Sequence, residues 1–316
     1  MKLNVVSYFD GMSCGQLSLR AFLGQADFDY YSFEIDRPAM NVTNFRFPHT
    51  VQMGDVTKMN SKTLPRKTFL LMGGSPCTDL SVAGRKKGMI TKTNIKLTSF
   101  EQYMNLKEDG FQFEGESFLF WELARAKREL NPEYFLMENV VITGENKIYE
   151  KVMNEELGLE PIRINSSLLT AQNRDRLYWT NIPNVTVPED KGILLHHMIT
   201  DAVGGYGARG VKKKGETKYS YPGSTRKDGK ANCLTKSDRC RHYTDIFGEH
   251  HRLTVEACEV LQGVPIGYSD VVGVCKTDRY KMLGNGWTVP VIRHILSHIP
   301  QFQNIEMLKN YNFIEV

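Results

Sequence analysis

One stretch constrains this chain more than any other: Thr68-Phe69-Leu70-Leu71-Met72-Gly73-Gly74-Ser75-Pro76-Cys77-Thr78-Asp79-Leu80-Ser81. It opens as a short apolar run of the kind that forms a buried strand. Gly73-Gly74 ends the strand, and Pro76 stiffens the backbone just before Cys77. A thiol is thereby presented on a loop at the carboxyl end of a strand, where open α/β sheets hold their ligands. A thiolate there can act as a nucleophile. The alternative is a small buried hydrophobe, the usual fate of a free cysteine. Neighbouring segments have to decide between the two.

The chain before that loop repeats a strand-turn-helix unit. Residues 3–9 read as a strand, followed by Asp10-Gly11-Met12-Ser13-Cys14-Gly15 and a helical run containing Leu17, Leu19, Ala21, Phe22 and Leu23. Glycines in such a turn let a ligand approach the helix N-terminus. A second strand, Tyr30–Phe33, ends in Glu34, 19 positions after Gly15 and close to the spacing of a ribose-binding acid. A third ends near Gly54-Asp55-Val56. Acids at three successive strand ends (Asp10, Glu34, Asp55) repel a diphosphate and suit an amine and hydroxyls, so an adenosyl ligand without phosphates is expected. Taken alone, each acid is more readily explained as a helix cap; together they favour the adenosyl ligand. Six scattered cysteines without a CxxC pair speak against a zinc knuckle or a disulfide framework and fit a reducing cytosol. No apolar run is long enough for a membrane span, and the N-terminus lacks the pattern of a secretion signal.

Beyond Cys77, residues 85–96 carry Arg85, Lys86, Lys87, Lys92 and Lys96 without an acid, and their position suggests a lid that touches phosphates. A helix from Glu116-Ser117 precedes strand Tyr134–Met137, which ends in Glu138-Asn139-Val140. In a parallel sheet, Glu138 shares a rim with Cys77, where a shielded carboxyl can hold a proton and donate it. A helix over 146–157 and a strand over 160–169 lead to Gln172-Asn173-Arg174-Asp175-Arg176. If 174–179 is extended, Arg174 and Arg176 share a face that Asp175 does not. Two guanidiniums on one face suit a carbonyl, a carboxylate or phosphates, or else structural salt bridges. Between Gly204 and Tyr243 stand eleven Lys/Arg against three acids, an excess twice the +4 charge of the whole chain. Tyr206, Tyr219, Tyr221 and Tyr243 interleave with them, the footprint of a nucleic-acid surface. Arg209, Arg226, Lys227, Lys236, Arg239 and Arg241 are its candidate contacts.

These segments together resemble the cytosine-C5 methyltransferases that use S-adenosylmethionine. The matching blocks are Phe9-Asp10-Gly11, Phe33-Glu34-Ile35, Gly54-Asp55-Val56, Ser75 to Ser81, Glu138-Asn139-Val140, Gln172 to Arg176, Arg252 to Pro265 and Leu283 to Pro290, in the family's order over residues 5–299. Details such as Phe9 to Gly15 and Trp287 to His294 resemble the eukaryotic de novo branch and some viral or bacterial relatives. Where the family usually has a glycine pair in the first turn, this chain has Ser13-Cys14, so that turn must close differently.

The resemblance implies a Rossmann-like α/β fold with a mostly parallel sheet and a small target-recognition domain. It places a discontinuous catalytic domain at 1–185 and 276–316, with 186–275 reading the target. It implies S-adenosylmethionine held by Phe9, Asp10, Gly11, Glu34, Ile35, Asp55, Val56, Pro76, Asn285, Gly286 and Trp287. Cys77 would add to C6 of a flipped cytosine, Glu138 would protonate N3, and Arg176 would hold O2 with Arg174 as supporting charge. Double-stranded DNA is the expected substrate, in a bacterial or phage-infected cytoplasm. The alternative with the same chemistry is a transfer RNA. A nucleotide-dependent oxidoreductase is disfavoured by the missing G-x-G-x-x-G, and a silent DNA-binding relative by the intact Cys77, Glu138 and Arg176.

Overall fold

The computed structural model describes residues 2–80, 88–208, 223–236 and 240–303. In chain order the strands are β1 (Leu3–Tyr8), β2 (Phe28–Phe33), β3 (Val51–Gln52), β4 (Leu70–Gly74), β5 (Ile90–Thr91), β6 (Phe113–Glu114), β7 (Tyr134–Val140), β8 (Ile162–Asn165), β9 (Asp175–Thr180), β10 (Ala202–Ala208), β11 (Gly223–Thr225), β12 (His242–Asp245) and β13 (His250–Arg252). The helices are α1 (Cys14–Leu19), α2 (Arg37–Arg46), α3 (Phe100–Glu108), α4 (Phe120–Leu130), α5 (Lys147–Leu157), α6 (Val255–Gln262), α7 (Lys276–Asn285) and α8 (Val289–Leu296).

Seven strands form one sheet in the order β3-β2-β1-β4-β7-β9-β8. The first five are parallel; β9 runs against β7 and β8 against β9. The fold is therefore α/β with a mostly parallel, Rossmann-like sheet. Central strands are apolar on both faces because helices cover both, and Val5, Val6, Leu70, Leu71 and Met72 are fully buried. From β1 the chain steps outward to β2 and β3, then returns to β4 on β1's other side. That reversal opens a crevice at the carboxyl ends of β1 and β4, the place where such sheets bind ligands.

Helix ends follow their local chemistry. Thr254 accepts from the Ala257 amide at 3.1 Å and caps α6, and Gly263 at φ 70° closes it. Near the end of the described chain, α8 packs on α1, and its Ile292 and Ile295 join the cluster of Val5, Leu19 and Leu70. This brings the Gly284–Trp287 segment onto the sheet's carboxyl rim. A second, antiparallel sheet has the order β11-β10-β12-β13. It shares its apolar core with the rest: Ala202, Leu234 and Leu253 lie in one cluster with Met12, Leu17 and Ala39. The stretch read as a lid holds, in its described part, buried Met89 and strand β5, which pairs antiparallel with β6 outside it.

Candidate active site

Parallel pairing of β4 and β7 sets Gly74 beside Glu138 and so starts the Cys77 loop next to that acid. Cys77 follows three residues on, a half-buried free thiol. Both oxygens of Glu138 accept hydrogen bonds: Oε1 from Arg176 Nε at 2.8 Å, and Oε2 from the Trp287 indole Nε1 at 3.1 Å. A thiol, an acid and a guanidinium thus converge on one rim from β4, β7 and β9. Burial pushes the Cys77 thiol above its ordinary value; the Glu138 carboxylate adds to this, while Arg176 and Arg174 partly offset it. Burial acts to lower the Arg176 pKa, but Cys233, Glu138 and Cys77 outweigh it and hold the guanidinium charged.

Arg174 and Arg176 do lie toward one side, since Nη1 of Arg174 and Nη2 of Arg176 both reach Cys233 Sγ, at 3.6 and 3.8 Å. Asp175 points away and pairs with Arg163. The two arginines have different work, however. Arg174 is 3% exposed and donates to the carbonyls of Leu234 (2.9 Å), Gly284 (3.2 Å) and Gly286 (2.9 Å). Read from the sequence as charge supporting catalysis, it is committed here to three backbone carbonyls. Its guanidinium joins the Leu234 loop to the Gly284–Trp287 segment.

Three contributors escaped the sequence reading. Cys233 sits between the two guanidiniums; burial raises its thiol pKa, but both arginines outweigh that and the net shift is downward. No CxxC spacing or strand-end position singled it out. Asp79, fully buried, accepts from the amides of Glu116 (2.9 Å) and Ser117 (3.3 Å), fastening the loop after Cys77 to the next turn. Arg125 on α4 donates to the carbonyls of Val56 (3.3 Å) and Met59 (3.2 Å) while paired with buried Glu122. The Glu122/Arg125 spacing of three on a helix was the available signal.

The crevice at β1, β2 and β3 is built from the residues expected of a cofactor site, with unequal roles. Asp10 faces inward: its carboxylate receives hydroxyls from Ser7, Ser13, Tyr30 and Ser32, and burial raises its pKa despite them. This explains the Ser13-Cys14 departure. Ser13 takes a left-handed conformation (φ 59°) at the start of α1 and bonds Asp10 and Thr43, doing with a side chain what a glycine pair does with freedom. Phe9, at φ 56°, is also left-handed. Glu34 accepts from the amides of Gly11 (2.8 Å), Ile35 (2.7 Å) and Asp36 (2.8 Å). Asp55 caps the turn at Val56 through the Thr57 amide. Ile35 stands 72% exposed beside Glu34, and Asn285 is exposed across the crevice. An uncovered apolar side chain next to a strand-end carboxylate fits an adenosyl group, with apolar surface for the base and an acceptor for hydroxyls.

The expected nucleic-acid contacts separate into three groups. Arg85, Lys86, Lys87, Arg209 and Arg239 lie outside the described residues. Lys227 and Lys236 are exposed. Arg226 pairs with Asp228, and Arg241 is a correction: it is buried, with its guanidinium 4.4 Å over the Tyr280 ring. Stacking on an aromatic face suits a weakly hydrated guanidinium and turns it inward. Lys230, counted in the basic excess, is also buried and bonds the carbonyls of Ser167, Thr170 and Ile193.

The sheet order and the rim chemistry define a methyltransferase-like α/β class, and comparisons with known proteins narrow it. Solved structures share the fold: the methyltransferase Dnmt2 of S. pombe aligns with a TM-score of 0.61 at 15% identity over 96% of this chain and 100% of that one. The Entamoeba histolytica methyltransferase EhMeth aligns at 0.60, with 13% identity over 95% of this chain and 98% of that one. A family model described as C-5 cytosine-specific DNA methylase matches residues 3–190, and the chain belongs to that family, whose methyl donor is S-adenosylmethionine. Among curated relatives, the orphan methyltransferase M.SPRI of Bacillus phage SPR is 32% identical over 190 residues, 56% of this chain and 37% of that protein. M.SPBetaI of Bacillus phage SPbeta is 26% identical over 223 residues, 61% of this chain and 48% of that protein. The match thus spans less than half of these relatives' length. Among the described residues no helix is long and apolar enough to cross a membrane.

Proposed function

We propose that this chain transfers a methyl group to C5 of cytosine in duplex DNA. The observation that carries the reading is the convergence of Cys77, Glu138 and Arg176 on one rim, with Glu138 and Arg176 bonded at 2.8 Å. S-adenosylmethionine supplies the electrophilic methyl group on its sulfonium. Phe9, Gly11, Glu34, Ile35, Asp55, Val56, Pro76, Asn285, Gly286 and Trp287 hold it, and Asp10 supports the turn from beneath.

C5 of cytosine is a poor nucleophile. Addition of the Cys77 thiolate to C6 forms an S–C bond and moves the ring's π electrons toward N3, making C5 enamine-like. Glu138 delivers a proton to N3 as that charge develops, and Arg176 binds O2. After C5 is alkylated, its proton leaves to solvent, the C6–S bond breaks to release the Cys77 thiolate, the C5–C6 double bond returns, and N3 gives its proton back to Glu138. Because C6 is hidden in a stacked duplex, the cytosine must be flipped out. Residues 186–275 serve as the target-recognition part, and the relatives' origin in phages supports DNA over RNA.

Incubation of matched DNA and RNA duplexes with labelled cofactor tests this. Label is expected in DNA; label appearing only in RNA transfers the same chemistry to the other substrate, and label in neither overturns the reading.

A further inference from the structure

We infer that the Trp287 indole N–H is a positioning group for Glu138, coupling closure of the cofactor segment to alignment of the acid. The inference rests on the methyltransfer reading of Glu138 and adds a residue to it. Trp287 Nε1 donates to Glu138 Oε2 at 3.1 Å, while Arg176 takes the opposite oxygen. The carboxylate is therefore gripped at both ends, which fixes its plane as well as its place. A carboxyl oxygen has two lone pairs, so one donor on Oε2 still leaves it able to meet a base.

Two further observations show that this contact is built in. A Cβ at Gly74 would stand 2.7 Å from Trp287 Nε1 and 3.0 Å from Glu138 Oε2. Only a residue without a side chain lets the two groups meet there. The tryptophan is also fixed from behind. The Gly286 carbonyl accepts from Arg174 Nη2 at 2.9 Å and Gln262 Nε2 at 3.0 Å, and the Thr288 hydroxyl donates to Gln262 Oε1 at 2.9 Å. Trp287 belongs to the segment that closes the cofactor crevice. Its ring can act as a wall for the cofactor, and its N–H reports that segment's position to the acid two strands away from β1.

The test uses the full chain, with S-adenosylmethionine and duplex DNA, and compares wild type with Trp287→Phe, which keeps an aromatic ring and removes the donor. Loss of a hydrogen bond that orients the acid predicts kcat lower by several-fold to about tenfold. The cofactor Kd, measured by direct binding, is expected to move by less than about threefold, a split that uniform loss of binding does not give. Gly74→Ala keeps the indole and separates the pair, and is expected to lower kcat in the same way. It also serves if Trp287→Phe does not fold. In a Glu138→Gln background, Trp287→Phe is expected to slow adduct formation with 5-fluorocytosine DNA little further, because its partner is already altered. Wild-type kcat in both variants, an effect confined to cofactor Kd, or full additivity in the double variant overturns the inference. If wild type itself forms no adduct and transfers no methyl group, the methyltransfer reading fails, which is a separate outcome.

Discussion

The carboxyl rim of the parallel sheet and the basic segment around the antiparallel sheet make an instructive pair. The rim is picked out in the sequence by strand ends and the family resemblance, the basic segment by its charge count. On the rim, three charged or nucleophilic groups come together because each is placed by a strand end: Cys77 by β4, Glu138 by β7 and Arg176 by β9. In the basic segment, the described cations do not all reach a free surface, although Lys227 and Lys236 are exposed. Lys230 and Arg241 are buried, and Arg226 is paired with Asp228. A motif at a strand end carries its own geometry, because backbone pairing determines where the side chain goes. A count of lysines and arginines carries none.

The first way to break this comparison is to remove the nucleophile. Cys77→Ser should abolish methyl transfer by roughly four orders of magnitude or more, the scale seen when a covalent nucleophile is lost. It should also form no denaturation-resistant adduct with 5-fluorocytosine DNA. Its thermal midpoint should stay near that of wild type, because a half-buried thiol exchanged for a hydroxyl leaves little cavity. Retained turnover in Cys77→Ser would mean that the rim's convergence is incidental.

Arg174 and Arg176 sharpen the contrast within the rim itself. Arg174→Met leaves the carbonyls of Leu234, Gly284 and Gly286 without their donor and should cost on the order of 2–3 kcal/mol of folding stability, seen as a lower urea midpoint. Arg176→Met should lower turnover more than stability, since its guanidinium bonds Glu138 and, in the proposed mechanism, binds the incoming base. The opposite ranking would reverse the roles assigned to the two residues. Lys230→Met should resemble Arg174→Met, with the stability loss and no change in the salt dependence of DNA binding.

How much of this was legible in the sequence depends on what placed each residue. The strands β1 to β4 and β7 could be read because apolar runs end in Gly or acids, and the rim followed once the sheet was parallel. Glu138 was legible as an acid at a strand end, and Arg176 through its spacing from Arg174 and the family resemblance. The division of labour between Arg174 and Arg176 was not, because it depends on carbonyls brought from residues 234, 284 and 286, about 60 and 110 positions away. Asp10 was read as facing the cofactor, but the groups that turn it inward come from β1 (Ser7), the start of α1 (Ser13) and β2 (Tyr30 and Ser32), the strand contacts being set by the register between β1 and β2. Cys233 was invisible for the same reason: its character comes from two guanidiniums on another strand segment. The inward turn of Arg241 required knowing that Tyr280 of α7 lies beneath it.

A pH series on the free protein separates the electrostatic environment from the catalytic cycle. Because burial and the Glu138 carboxylate hold the Cys77 thiol above its usual range, alkylation by iodoacetamide should still be rising with pH where an ordinary exposed cysteine has levelled off. The sign for each neighbour is distinct. Glu138→Gln removes a negative charge that opposes the thiolate, so the profile should move to lower pH. Arg176→Gln removes a positive charge that favours it, so the profile should move to higher pH. Identical profiles in both variants would show that burial alone governs the thiol. Mass spectrometry must assign the alkylated residue, since Cys233 lies nearby and has the opposite shift.

The smallest effect, and the one that bears on the basic segment directly, is the salt dependence of DNA affinity. Removing a cation that neutralises one phosphate should reduce the magnitude of the slope of log K against log salt by about 0.9 for a duplex. Lys227→Ala and Lys236→Ala remove exposed charges, and each that touches a phosphate should lower the slope by that amount. Arg241→Gln and Lys230→Met remove buried ones and should leave the slope unchanged, although both should lower the thermal midpoint. Were Arg241→Gln to reduce the slope as Lys236→Ala does, its guanidinium would have to leave Tyr280 when DNA binds. The stacking seen here would then be the resting state of a residue that exchanges an aromatic face for a phosphate.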